Sequence, residues 1–261
     1  MRTSLAGGIV ALSLLGWVGG VDRAQGAKAK KVETSTVSFQ GGSGQIKGFL
    51  AKPEGAGPFP AIVVVHEWWG LSDWVKENAT RLAGEGYVAL AVDLYNGKAT
   101  QDPGEAHELM RALDPNEGLA DLKGGVAYLE SQAFVDKGKK IGAIGWCMGG
   151  MYSRLIAQGS SAIGPTVICY GSVATEPNQV AKLVGKPVLG IFGATDRGIP
   201  AEKVKQFEAA LKAGGDKNVT IRLFEGAGHG FMRPGGPQYH EASAKQAWTL
   251  IDRFFADHLR P

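Results

Sequence analysis

Hydrophobic positions in this chain gather into short continuous runs separated by stretches of helical spacing. Ala61–Val65 (AIVVV) is the clearest run, and residues 87–92, 141–145, 166–170 and 187–192 repeat the type. A segment apolar on both sides of its backbone fits a parallel strand covered on both faces. Between these runs the spacing predicts helices over residues 73–83, 104–113, 119–131, 201–213 and 239–259, with a further helical stretch starting around Gly150. Gly84-Glu85-Gly86 and Gly214-Gly215 are the stops for two of them. Two segments alternate instead. Residues 34–51 do so around Gly41-Gly42-Ser43-Gly44, predicting a β-hairpin with a glycine-rich tip, and residues 219–224 read as a half-exposed strand. Strand and helix in strict alternation after an opening hairpin predict one α/β sheet, mostly parallel, with helices on both faces.

Reactive groups in such sheets collect at the carboxyl ends of the strands. Four candidates stand there: Glu67 after residues 61–65, Cys147 after 141–145, Asp196 after 187–192 and His229 after 219–224. Cys147 sits in Gly145-Trp146-Cys147-Met148-Gly149, the pattern of a nucleophile elbow with cysteine in the central place. Glycines are needed there because the helix leaving the turn passes close to the strand entering it. A helix N-terminus aimed at the sulfur favours thiolate and developing oxyanion. The chain order nucleophile, acid, histidine assigns Cys147 as nucleophile, Asp196 as orienting acid and His229 as general base and then acid. The Met148 amide, with that of Trp68, is placed to form an oxyanion hole. Trp68 and Trp69 read as pocket-lining aromatics. His66 reads as a space-filling neighbour of the site, and His107, His240 and His258 as helix-surface residues. No metal site is expected, since no His, Cys or acidic residues show ligand spacing.

Length, charge and the N-terminus narrow the class. The chain has 261 residues, 39 of them glycine, and a formal charge of +3. No basic stripe interleaved with aromatics occurs, which argues against nucleic acid. Arg2, an apolar run over residues 5–20 and the small-residue site Ala24-Gln25-Gly26 read as a secretory signal over 1–26. A basic lead-in (27–34) and one catalytic domain (35–261) follow. This predicts an exported protein, periplasmic or extracellular, with no stable membrane association after cleavage. Oligomeric state is not readable, and a monomer is the expectation. Export raises the question of a disulfide between Cys147 and Cys169, the only two cysteines. Cys169 lies in an apolar strand and reads as a small buried hydrophobe.

His66-Glu67-Trp68-Trp69-Gly70, Asp93-Leu94-Tyr95, Gly145-Trp146-Cys147-Met148-Gly149-Gly150, Asp196 and His229-Gly230-Phe231 together resemble the dienelactone hydrolase (carboxymethylenebutenolidase) family, over about residues 37–259. The resemblance implies an α/β-hydrolase fold, a Cys-Asp-His triad and hydrolysis of an unsaturated lactone without metal or organic cofactor. It also implies that Glu67 contacts the cysteine and switches on substrate binding so that thiolate forms. Arg233 matches an arginine that grips a substrate carboxylate, and Trp69, Tyr95, Lys98 and Phe231 are placed with it around the substrate. The chain departs from the best-known members in two ways. Their second arginine after Asp-Leu-Tyr is replaced by Asn96-Gly97-Lys98, where Lys98 offers a mobile point charge in place of a fork. They also act in the cytoplasm. The substrate expected is therefore a small lactone or activated ester, opened through an acyl-thioester. Two other readings of the residues remain open: a non-catalytic binder of a small acid, and a thiol redox sensor using Cys147.

Overall fold

The computed structural model describes Met1 and residues 30–260. Residues 2–26 of the signal and 27–29 of the lead-in lie outside the described residues. Eight strands form one sheet in the order β1-β2-β4-β3-β5-β6-β7-β8. β1 (Val32–Gln40) and β2 (Gln45–Pro53) are the opening hairpin, and β2 pairs antiparallel with β4 (Val88–Val92). From β4 onward every pairing is parallel, through β3 (Ala61–Val65), β5 (Ile141–Trp146), β6 (Ile163–Cys169), β7 (Val188–Gly193) and β8 (Val219–Phe224).

The continuous apolar runs have their physical reason in two separate cores, one on each face of the sheet. Val63, Val65, Leu90 and Val92 point to the face covered by α3 (Pro115–Ser131), α4 (Met148–Gly159) and α6 (Ala201–Ala213). Their neighbours Ile62, Val64, Ala89 and Ala91 point to the face covered by α1 (Asp73–Gly84) and α7 (Glu241–Leu259). A strand side chain points to alternate faces at successive positions, so both sets must be apolar. Each such Val or Ile contributes roughly 1.5–3 kcal/mol of burial. α2 (Pro103–Ala112) lies beside the first core, and a four-residue α5 (Pro177–Val180) follows β6.

Two helix starts differ from the expectation. α3 begins at Pro115, one turn earlier than predicted, because Asp114 caps it by accepting from Asn116 N and Glu117 N, and proline is well accommodated in a first turn. α4 begins at Met148, because Cys147 is itself the residue that ends the strand and starts the helix. The two cysteines are both free, and Cys169 is fully buried.

Candidate active site

At the carboxyl end of β5 the chain turns abruptly into α4. Cys147 carries it through at φ 56° and ψ −119°, a left-handed backbone that a side-chain-bearing residue adopts only under strain. The turn is held by the Cys147 amide donating to the Cys169 carbonyl at 3.0 Å. Its tightness explains the glycines. A Cβ on Gly145 would stand 2.1 Å from the Gly149 oxygen, and one on Gly149 would stand 2.2 Å from the Val65 oxygen. These are backbone atoms that cannot step aside.

Asp196 and His229 meet above the neighbouring strands. His229 Nδ1 lies 2.7 Å from Asp196 Oδ2, so Nδ1–H donates to the carboxylate and Nε2 is left for another partner. Asp196 is almost wholly buried, yet its other oxygen accepts from Gly198 N at 2.8 Å and Ile199 N at 3.0 Å. Burial alone would raise its pKa. The histidine and the two amides outweigh burial and hold it below the usual carboxylate range. Burial likewise pulls His229 down, but the Asp196 hydrogen bond and the Cys147 sulfur reverse this and lift the imidazole to about 10. Cys147 and His229 line one cavity of about 320 Å³.

Glu67, at the end of β3, is the opposite kind of carboxylate. It is 3 % exposed, and its Oε2 has no hydrogen-bond partner. Burial pushes its pKa up to about 7, against the attraction of Arg233, His229 and Tyr170. Arg233 Nη1 stands 4.0 Å from Oε2, with its guanidinium 4.9 Å from the centre of the Trp69 ring. The Tyr170 hydroxyl lies beside Glu67, short of hydrogen-bond geometry, buried and unpartnered itself. His66 is settled in a neutral form: Nε2 accepts from Leu94 N at 3.1 Å, so Nδ1–H donates to the Glu67 carbonyl at 2.6 Å. Burial lowers its pKa.

The Met148 amide opens α4 at the positive end of its dipole. Among the described residues, neither it nor the Trp68 amide serves a turn or capping hydrogen bond. Met148 also lines the cavity that Cys147 and His229 share.

The residues placed around the substrate from sequence divide. Arg233 and Trp69 form the cluster against Glu67 and lie outside the lining of the Cys147 cavity. Trp68 stacks edge-on to Trp69 at 4.9 Å and packs against the core, so the pair does not line that cavity either. Three others lie away from the cavity lining. Phe231 is fully buried against Tyr170 and Phe224, because Gly230 at φ 74° reverses the chain and turns the next side chain inward. Tyr95 is buried too, packed on His66, with its hydroxyl donating to Met148 Sδ at 3.2 Å. Lys98 is exposed in the turn that Asp93 holds through Gly97 N, beside Lys47 and Lys76. Sequence reasoning missed Tyr170, whose ring stands 5.3 Å from that of His229 and whose backbone is left-handed at φ 36°. Its place at the carboxyl end of a strand was the available signal.

An α/β sheet of this order with a strained residue between β5 and α4, and an Asp-His pair beyond β7 and β8, defines an α/β-hydrolase. Within that class the chain belongs to the dienelactone hydrolase family, whose sequence profile matches residues 46–259. It is 30 % identical over 238 residues to the "Putative carboxymethylenebutenolidase" of Yersinia pestis, covering 86 % of this chain and 87 % of that protein. It is 29 % identical over 235 residues to "Protein usf" of Aquifex pyrophilus, covering 85 % of this chain and 98 % of that one. Among solved structures, a dienelactone hydrolase-like promiscuous phosphotriesterase from metagenomic libraries superposes with a TM-score of 0.78 at 25 % identity, over 87 % of this chain and 98 % of that chain.

Proposed function

We propose that this hydrolase uses Cys147 as its nucleophile to cleave a small lactone or activated carboxylic ester through an acyl-thioester. The observation that carries the reading is the convergence on one cavity of Cys147, on its strained turn, and His229, whose Nδ1 is committed to Asp196. The thiol proton goes to Glu67 or His229, and the sulfur attacks the carbonyl carbon. The resulting oxyanion takes hydrogen bonds from the Met148 and Trp68 amides. Collapse breaks the C–O bond, and His229 delivers a proton to the departing oxygen. Water, losing its proton to His229, then attacks the thioester and releases the acid and the thiol. Asp196 orients the imidazole and stabilises its charged form. Export belongs to the same proposal and rests on Arg2, the apolar run after it and the small-residue site at Ala24-Gln25-Gly26.

The test is p-nitrophenyl acetate hydrolysis by the protein and its Cys147→Ala variant, with mass spectrometry of acid-quenched reactions. Turnover that the variant loses, with an acetyl group mapped to Cys147, is the expected result. A variant that retains turnover overturns the mechanism.

A further inference from the structure

The cavity at Cys147 has a chemical character that the reaction alone does not demand. Beyond Cys147 and His229, much of its lining is Met110, Leu113, Met151 and Ile199, joined by Tyr152, Tyr170 and the small polar Ser172. Met110 and Leu113 come from the end of α2 and the residue after it, Met151 from α4 and Ile199 from the loop that carries Asp196. Three separate segments therefore contribute apolar side chains to one space. No lysine or arginine lines it among the described residues. Arg233 is turned to Glu67 and Trp69, Arg154 donates to the Ser172 carbonyl, and Arg197 precedes Gly198, so these guanidinium groups stand outside the lining.

Resting on the hydrolase reading, we infer that this cleft selects a substrate whose scissile ester or lactone bears an uncharged apolar group, and that it disfavours one bearing a carboxylate there. Three arguments support this. Apolar walls gain by excluding water from an alkyl or aryl group, at about 0.8 kcal/mol per methylene. A carboxylate placed among them would lose its hydration and find no guanidinium or ammonium among the lining residues in exchange. The volume is also suitable. At about 30 Å³ for each water-sized group, a 320 Å³ space holds roughly ten non-hydrogen atoms, enough for the ester and a short chain or ring. Methionines on two of the walls let the cleft adjust to branched or flat groups alike, since their side chains are unbranched and polarizable.

The experiment compares three p-nitrophenyl esters of one leaving group: acetate, hexanoate and the half-ester of adipic acid, which adds a terminal carboxylate to the hexanoate length. Four added methylenes, each worth up to about 0.8 kcal/mol, predict a kcat/KM for hexanoate at least tenfold above acetate. The adipate half-ester should fall at least tenfold below hexanoate. In the Leu113→Lys variant the ratio of adipate to hexanoate turnover should rise at least tenfold, since an ammonium now stands in the cleft. Adipate turned over as fast as hexanoate, or no change of that ratio in the variant, overturns the inference and leaves the hydrolase intact. Turnover of none of the three overturns both.

Discussion

Glu67 is predicted to cost this protein stability at neutral and alkaline pH, and replacing it with glutamine should show how much. A buried carboxyl whose pKa is pushed up to about 7 holds its proton more tightly folded than unfolded, where the value is near 4.3. Its stabilising contribution is complete below about pH 4 and is lost as pH rises to about 7. At pH 8 the penalty of ionising it in place amounts to roughly 3–4 kcal/mol, and at pH 5 to about 1 kcal/mol. Glutamine has nearly the same shape and no charge. It leaves Arg233 without its carboxylate, so about half of the gain is expected to survive. At about 2–4 °C per kcal/mol for a domain this size, Glu67→Gln should melt about 3–8 °C above the parent at pH 8, with less than half that excess at pH 5. Thermal unfolding followed by circular dichroism at the two pH values is the assay. The same variant should lose activity, because a group kept ionisable near the working pH can take the thiol proton and glutamine cannot. An excess independent of pH, or a variant less stable than the parent at pH 8, refutes the account of Glu67 as a strained, half-ionised acid.

Two further outcomes follow from the same geometry. Arg233→Met removes the cation 4.0 Å from Glu67, so the pH midpoint of the Glu67-linked stability loss should rise by about one pH unit. A midpoint that falls, read from melting temperature against pH, contradicts the pairing. Gly149→Ala drives a methyl into the Val65 carbonyl, 2.2 Å away, and should cost at least about 3 kcal/mol. Gly159→Ala, whose methyl meets nothing closer than 3.5 Å, is the control and should melt near the parent temperature.

The elements that sequence located best are those whose local pattern has one solution. Ala61–Val65 can satisfy its unbroken apolar run only between two helical layers, and the observed strand has those bounds. The alternating segment Val219–Phe224 is an edge strand, half exposed as its polar positions require. Strand ends were equally legible, and Glu67, Cys147, Asp196 and His229 follow the carboxyl ends of β3, β5, β7 and β8 as expected. The cleft was not. Met110, Leu113 and Met151 have helical spacing that reads as ordinary core, and only the packing of α2 and α4 at one corner turns them outward into a shared wall. Phe231 shows the converse: adjacency to His229 suggested a role in the site, while the chain reversal at Gly230 leaves its ring in the core.

The two carboxylates show why an acid's surroundings matter more than its position. Both Glu67 and Asp196 follow a buried parallel strand at its carboxyl end, and both are nearly inaccessible to water. Asp196 receives two loop amides and an imidazole N–H, so its charge is fully engaged and held low. Glu67 receives an arginine only at 4.0 Å and leaves an oxygen unsatisfied, so its charge is costly and its proton returns near pH 7. A permanently charged acid suits the orientation of a histidine. An acid near its own pKa suits the exchange of a proton with a thiol. Environments that drive the two acids in opposite directions fit them to these different tasks in the proposed mechanism, and the difference follows from hydrogen-bond partners rather than from residue type.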